Sequence, residues 1–446
     1  MPWYFMERQP EAARKEYPGA STPMAGTSDA IMGSMPEFNA SKRYILITGA
    51  GGFIGQELTI ALLSAAPDIE LVLADVFKPP LPLSKNNTTN TETDTSRVHC
   101  IEADLTRPPI VATLLNSKKW HACYLLHGIM SSGSETNLEF GLAVNIDSHR
   151  LILDFLRRHQ PGVIVVFPSS LAVYGPPEGT EVVSERTIAL PQSSYGAEKL
   201  VIETLVNDYS RRGLIDGRVV RLPTVIVRPG RPSAAASSFA SSIVREPLRG
   251  EKSLLPVSRS LEMWVCSPET VVRNLVAVKD VPKDRFGRNK GRVVNLPGQT
   301  VKVGEILEAL EEVGGKEAVG LVEEKVDPRV EDIVASWPSR FDVSVAKGLG
   351  MVEDVSLTEV LYWACQKSDD CWPKMMHGML KTTIILDRST RYTSMPSKPP
   401  KQNPLLLNPP IYLCLLILLL FRDVWSGHRV QSILNIASRI SDSFTP

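Results

Sequence analysis

Tyr195 and Lys199 stand four residues apart in Ser194-Tyr-Gly-Ala-Glu-Lys199, a spacing that puts both side chains on one face if the segment is helical. A free phenol with a pKa of about 10 is a weak base at neutral pH. An ammonium beside it stabilises the phenolate, which can then take the proton of an alcohol while hydride leaves the same carbon. Upstream, the apolar run at 163–168 ends in Ser169 and Ser170. A hydroxyl at the carboxyl end of a strand lies where open α/β sheets bind ligands. Ser170 is therefore the candidate to bond the substrate oxygen and steady its developing charge, with Ser169 a bystander.

Hydride needs an acceptor, and a second cluster offers a place for one. The apolar run 43–48 leads into Gly49-Ala50-Gly51-Gly52-Phe53-Ile54-Gly55 and then into a helical period. Gly49 permits a tight turn, Gly52 lets backbone approach a pyrophosphate, and Gly55 lets helix pack closely on strand. Gly49, Gly52, Phe53, Ile54 and Gly55 would line a phosphate site at the helix N-terminus. The next apolar run, 70–74, ends in Asp75, twenty residues beyond Gly55. A carboxylate there accepts hydrogen bonds from ribose hydroxyls and repels a 2′-phosphate. The sequence continues Val76-Phe77-Lys78, and lysine is a poorer bidentate partner for phosphate than arginine. The expected cofactor is NAD rather than NADP.

These residues need a frame. Buried strands are expected at 43–48, 70–74, 98–102, 122–126, 163–168 and 218–222, with helices at 55–65, 109–115, 137–158 and 195–211. Such alternation specifies a doubly wound, Rossmann-type parallel sheet covered on both faces. The organisation read from the chain is a disordered tail at 1–40, a cofactor-binding core at 41–225, a smaller substrate lobe at 226–365 opening with Pro- and Ser-rich segments, and a poorly structured tail at 366–446. A polar insert at 84–96 reads as a surface loop. The tail's apolar run, 411–421, is far shorter than the roughly twenty residues a membrane span requires, so a membrane anchor is not expected.

Composition excludes other classes. In 446 residues, apolar types make up 43% and charged types 22%, which rules out collagen, coiled coil and wholesale disorder. The 49 basic residues cancel the 49 acidic ones, leaving no field to hold nucleic acid. Six scattered cysteines without a Cys-x-x-Cys indicate neither a disulfide framework nor a metal site. No signal-peptide pattern opens the chain, so a cytoplasmic location is expected. The oligomeric state stays open, a homodimer included.

Over about 43–365 the sequence resembles the extended short-chain dehydrogenase/reductases, the NAD-dependent epimerase/dehydratase group. The resemblance rests on TGAGGFIG at 48–55, Asp75, Asp104-Leu105, Asn145, SSLAVYG at 169–175 and the Tyr195/Lys199 pair. It implies that Asp104 and Leu105 contact adenine, that Asn145 steadies the active-site helix, that Tyr195 is the acid/base and that Lys199 also holds the nicotinamide ribose. One departure is Leu125-Leu126-His127-Gly128, where the family usually has His-x-Ala-Ala; His127 falls on an alanine position and does not inherit the family histidine's place. A narrower resemblance, to the D-erythronate dehydrogenase branch, rests on RLPTVIVRPG at 221–230, on 236–239 and 245–248, and on 296–298 and 303–305. It implies NAD-dependent oxidation of the 2-hydroxyl of a four-carbon sugar acid. Ser131 matches a substrate-contacting serine of related dehydrogenases, and a carboxylate substrate also needs a cation, for which Arg228, Arg231 and Arg245 are equal candidates. Two alternatives stand beside this reading: a nucleotide-sugar epimerase or dehydratase that retains NAD, and a non-catalytic NAD-sensing scaffold.

Overall fold

The computed structural model describes residues 39, 41–82, 95–176, 181–230, 235–286 and 291–366. The expected terminal tails with the run 411–421, most of the insert at 84–96, and Arg231 lie outside the described residues.

Six strands follow the expected runs: β1 (Arg43–Thr48), β2 (Ile69–Asp75), β3 (Val98–Glu102), β4 (Trp120–Leu125), β5 (Ile164–Ser170) and β6 (Asp216–Leu222). Later strands are β7 (Thr224–Val225), β8 (Ser253–Leu255), β9 (Glu262–Cys266), β10 (Val293–Asn295), β11 (Gln299–Lys302) and β12 (Val322–Glu324). The main sheet is parallel throughout, in the order β10-β6-β5-β4-β1-β2-β3. The chain builds outward from β1 on one side, then crosses to β4 on the other. That reversal opens a crevice beyond the carboxyl ends of β1 and β4, where ligands bind in such sheets. Register brings the ends level, with Thr48 opposite both Ala74 and Leu125.

Both faces of the sheet are covered, which is why its strands read as continuous apolar runs rather than alternating ones. On β1, Ile45 and Ile47 point to helices α1 (Phe53–Ala65) and, from far along the chain, Pro268–Asp280. Leu46 points the other way, to α2 (Pro108–Asn116) and to two helices at Ser148–His159 and Ser194–Arg211. In chain order we label Ser131–Thr136 α3, Ser148–His159 α4, Ser194–Arg211 α5, Phe239–Arg249 α6, Pro268–Asp280 α7 and Val303–Val319 α8. The long helix expected at 137–158 is helical but not uniform: Leu138–Gly141 and a π-helical stretch, Leu142–Asp147, precede α4.

The stretch beyond residue 225 serves both layers. Strand β10 pairs with β6 and completes the main sheet, while α7 packs its Val271, Leu275 and Val278 into the same cluster as Leu58 and Leu62 of α1. The lobe is assembled from the segments on either side, as sheets β11-β9-β7 and β12-β8 with α6 and α8 around Phe239, Ile243, Val265, Ile306 and Leu310.

Candidate active site

The phosphate loop is shaped by what its glycines allow. Gly49 has φ +65°, and a Cβ there would lie 2.5 Å from the His127 nitrogen, so only glycine lets the ends of β1 and β4 meet this closely. At Gly55 a Cβ would lie 2.7 Å from Ala50 Cα, which presses α1 onto the loop. Gly52 caps α1; no side chain caps it, and no acidic residue occupies its first turn. The first N–H groups of α1 are thus left facing the crevice, where the helix dipole favours an anion. Asp75, at the end of β2, accepts the Gly51 N–H at 2.9 Å and the Val76 N–H at 2.7 Å. An uncapped helix N-terminus beside a half-buried carboxylate fits the pyrophosphate and ribose of a dinucleotide.

The pair Asp104-Leu105 divides its tasks. Asp104 Oδ1 accepts both the N–H and the hydroxyl of Thr106, at 3.0 and 2.6 Å, and stays half-buried. The Leu105 side chain is buried in the apolar cluster that includes Val72 and Ile101.

Helix α5 carries Tyr195 and Lys199. Its N-cap Ser193 accepts the Gly196 N–H at 3.1 Å, and Glu135 of α3 accepts the Ser194 N–H. A Cβ at Gly196 would collide with the Ala172 carbonyl, so the first turn of α5 lies against Leu171–Val173, the turn that follows Ser170. Ser170 accordingly lies close enough to Tyr195 to oppose the rise of its pKa, and its Oγ accepts the Ala172 N–H at 3.1 Å. Ser169 Oγ is buried and has no partner among the described residues. Lys199 Nζ donates to the Pro168 carbonyl at 3.1 Å and lies 4.7 Å from the centre of the Phe167 ring and 5.6 Å from that of Tyr195. Burial pushes the Tyr195 phenol up to about 12; the Arg228 guanidinium opposes this and Glu198 reinforces it. Burial also pulls Lys199 down to about 8, against the pull of Glu203 and Glu198. A phenol at about 12 is protonated at neutral pH, so its use as a base depends on the cations around it.

Behind the pair lies a polar cluster that residue spacing does not announce. Asn145, in the π-helical stretch, is buried; its Nδ2 donates to Glu198 at 2.6 Å and to the Ile129 carbonyl at 3.0 Å, and its Oδ1 accepts the Ile129 N–H at 2.8 Å. Arg221 of β6 grips Glu203 of α5 through Nε and Nη2, at 2.9 and 2.6 Å, and donates to the Tyr174 hydroxyl, which lies 3.0 Å from Asn295 of β10. One signal could have exposed Glu203: it continues the stripe of Tyr195 and Lys199 at a third helical turn, amid buried Ile202 and Val206.

His127 is a wedge at the crevice floor. Its Nδ1 lies 2.7 Å from Thr48 Oγ1 and its Nε2 lies 2.8 Å from Ser148 Oγ, while its ring stacks on His149 at 3.8 Å. The Ser148 hydroxyl donates to the Val144 carbonyl, which leaves its oxygen free to accept from Nε2, and Thr48 Oγ1 lies against both Nδ1 and the Tyr124 carbonyl, the latter at 3.3 Å. Burial, aided by Lys199, pushes His127 down to about 3, and burial holds His149 far below the usual range, so both rings are neutral.

On the lobe side, Ser131 opens α3, buried, with its Oγ 3.5 Å from the Ala236 nitrogen. Arg228 donates Nε to the Val225 carbonyl at 3.0 Å, and its charge is felt at Tyr195. Burial and Arg245 lower its pKa and Tyr195 raises it, burial being the largest of the three. Arg245 is buried, pairs with Glu246 at 2.5 Å and donates to the Arg228 carbonyl at 2.8 Å. Its charge is therefore met within the protein, where it braces Arg228.

Comparison with known proteins identifies the family. Residues 45–283 match the model of the NAD dependent epimerase/dehydratase family. The chain is 40% identical over 320 residues to a D-erythronate dehydrogenase of Haemophilus influenzae, covering 71% of this chain and 97% of that one. A D-erythronate dehydrogenase of Cupriavidus necator is 39% identical, with 71% and 96% covered. Among solved structures, a nucleoside-diphosphate-sugar epimerase from Agrobacterium tumefaciens superposes with a TM-score of 0.66 at 31% identity, over 75% of this chain and 97% of that one. The holo form of a GalE-like L-threonine dehydrogenase from Cupriavidus necator shares the fold, with a TM-score of 0.61 at 23% identity over 72% and 97%. Among the described residues no helix is long and apolar enough to cross a membrane. The chain belongs to the NAD-dependent epimerase/dehydratase family, as an NAD-dependent oxidoreductase of the extended short-chain dehydrogenase/reductase type.

Proposed function

We propose that the protein oxidises the C2 hydroxyl of a small, D-erythronate-like sugar acid to the 2-oxo acid. The observation that carries this reading is that Arg228, from the lobe, lies within electrostatic reach of Tyr195. The substrate hydroxyl would sit between Tyr195 and Ser170, Tyr195 would take its proton, and Lys199 would keep the resulting phenolate affordable in a buried site. NAD, when bound, supplies the acceptor for hydride from C2. Gly49, Gly52, Phe53, Ile54 and Gly55 would hold its phosphates, Asp75 its adenosine ribose, Asp104 and the backbone of Leu105 the adenine edge, and Lys199 the nicotinamide ribose, with Asn145 bracing the helix behind. Ser131 would line the substrate side. In this reading 41–225 with α7 and β10 forms the cofactor core and the rest of 226–365 the substrate lobe.

A carboxylate buried without a cation costs several kcal/mol, so Arg228 is the residue on which an acid substrate depends. Two relatives named D-erythronate dehydrogenase, matched over nearly their whole length, support the same class. The test is NADH formation with D-erythronate, D-threonate and a neutral four-carbon polyol, for wild type and Arg228→Gln. The acids should turn over, the polyol should not, and Arg228→Gln should raise KM for the acid at least tenfold. Equal rates on acid and polyol would remove the sugar-acid assignment. Cofactor that co-purifies and is recycled, with no net NADH, would favour the sugar-nucleotide chemistry named for the Agrobacterium structure.

A further inference from the structure

We propose that Glu198 is a positioning residue for the dehydrogenation, clamping Asn145 and α3 against the helix that carries Tyr195 and Lys199. It lies between those two residues in sequence yet points to neither. Its Oε2 accepts from Ser134 of α3 at 2.9 Å and from Asn145 at 2.6 Å. It is 2% exposed, and its Oε1 is buried with no hydrogen-bond partner among the described residues. A Cβ at Gly141 would run into Oε1, so the helical segment before α4 is also fitted to this side chain. Through Ser134 the clamp fixes α3, whose first residue is Ser131 and whose Glu135 holds the start of α5. A single carboxylate oxygen thus ties three elements around the reacting groups.

A buried carboxylate used only as an acceptor could be replaced by an amide of the same shape. Glutamine can present its carbonyl at the Oε2 position and its amino group at the unpartnered Oε1 position. What the amide lacks is the charge, and that charge acts on both neighbours. Tyr195 is faced by Ser170 from β5, by Arg228 from the lobe, and by Lys199 and Glu198 of its own helix. Lys199 is faced by Glu203 and Glu198 on α5, by Phe167 and the Pro168 carbonyl of β5, and by the neutral rings of His127 and His149. Glu198 raises the pKa of both Tyr195 and Lys199. Removing the charge therefore moves both downward: phenolate forms at lower pH, and the ammonium is lost at lower pH.

The inference rests on the dehydrogenase chemistry and not on which sugar acid is used. Glu198→Gln should stay folded, keep kcat at its optimum within about threefold, and shift both limbs of the kcat profile with D-erythronate by about half a pH unit to the acid side. A readout without turnover is ultraviolet tyrosinate titration, differenced against Tyr195→Phe. Tyr195 should ionise at lower pH in Glu198→Gln than in wild type, even where no sugar acid is oxidised. Glu198→Ala should lose at least tenfold in kcat, and Gln at the same position should restore most of it. A Glu198→Gln profile and titration superimposing on wild type would overturn the proposal. So would full activity in Glu198→Ala; if that variant fails to fold, the Gln variant decides alone.

Discussion

The phosphate loop, which follows β1, and the polar cluster behind α5, which draws on β6, β10 and the turn after β5, are built in opposite ways. Residues 49–55 work through backbone: a left-handed turn at Gly49, a close approach at Gly55, and an uncapped helix start. The cluster of Asn145, Tyr174, Glu198, Glu203, Arg221 and Asn295 works through side chains, with partners separated by as many as 121 residues. The first kind of site is local and can be written in a short motif. The second exists only once the sheet has formed, and each member is ordinary by itself. On the proposed function, cofactor binding would be carried by a segment, whereas placement of Tyr195 is carried by the tertiary fold.

Four substitutions, at three places, bear on that contrast. The largest effect is expected at Glu203, because Glu203→Gln leaves Arg221 buried with its ion partner gone, at a cost of about 3 kcal/mol or more in urea unfolding. Adding Arg221→Met should recover much of that loss. Stability unchanged within about 1 kcal/mol would show that the cluster is not what sets α5 on β6. Tyr195→Phe comes next: kcat should fall about 100-fold or more while the Kd for NAD stays near wild type. If most turnover survives, the acid/base assignment is lost; if NAD binding fails with it, the two regions are not separable. The smallest effect belongs to Asp75→Asn, which keeps a partner for the Gly51 N–H but removes the charge. Its kcat/KM should drop about tenfold with NAD and rise with NADP. An unchanged preference between the two cofactors would mean that the loop, and not Asp75, chooses.

The same contrast governs how far the molecule could be read from its sequence. Strands β1 to β6 are legible because burial on both faces turns them into uninterrupted apolar runs bounded by turns. Tyr195, Lys199 and Ser170 are legible because their chemistry has a spacing, and the fold sets Lys199 Nζ 5.6 Å from the centre of the Tyr195 ring, as helical spacing requires. Arg228 and Arg245 are indistinguishable as letters; only the fold shows that Arg245 pairs with Glu246 and that Arg228 acts on Tyr195. The π-helical stretch at Leu142–Asp147 has no sequence period of its own, and it carries the Asn145 that donates to Glu198. Leu105 belongs to a two-residue motif, yet its side chain is spent on the core.

The position of β10 has a consequence for biosynthesis. About seventy residues separate the end of β6 from the strand that pairs with its outer edge. At a ribosomal rate of roughly 5–20 residues per second, β6 waits several seconds with an open edge of unpaired N–H and C=O groups. Such an edge is a template for strands of other chains. What emerges during that wait is the first segment of the lobe and then α7, whose Val271, Leu275 and Val278 cover the sheet before β10 arrives. A nascent chain stalled between α7 and β10 would expose the edge indefinitely, making this interval the point in synthesis at which chaperone capture matters most.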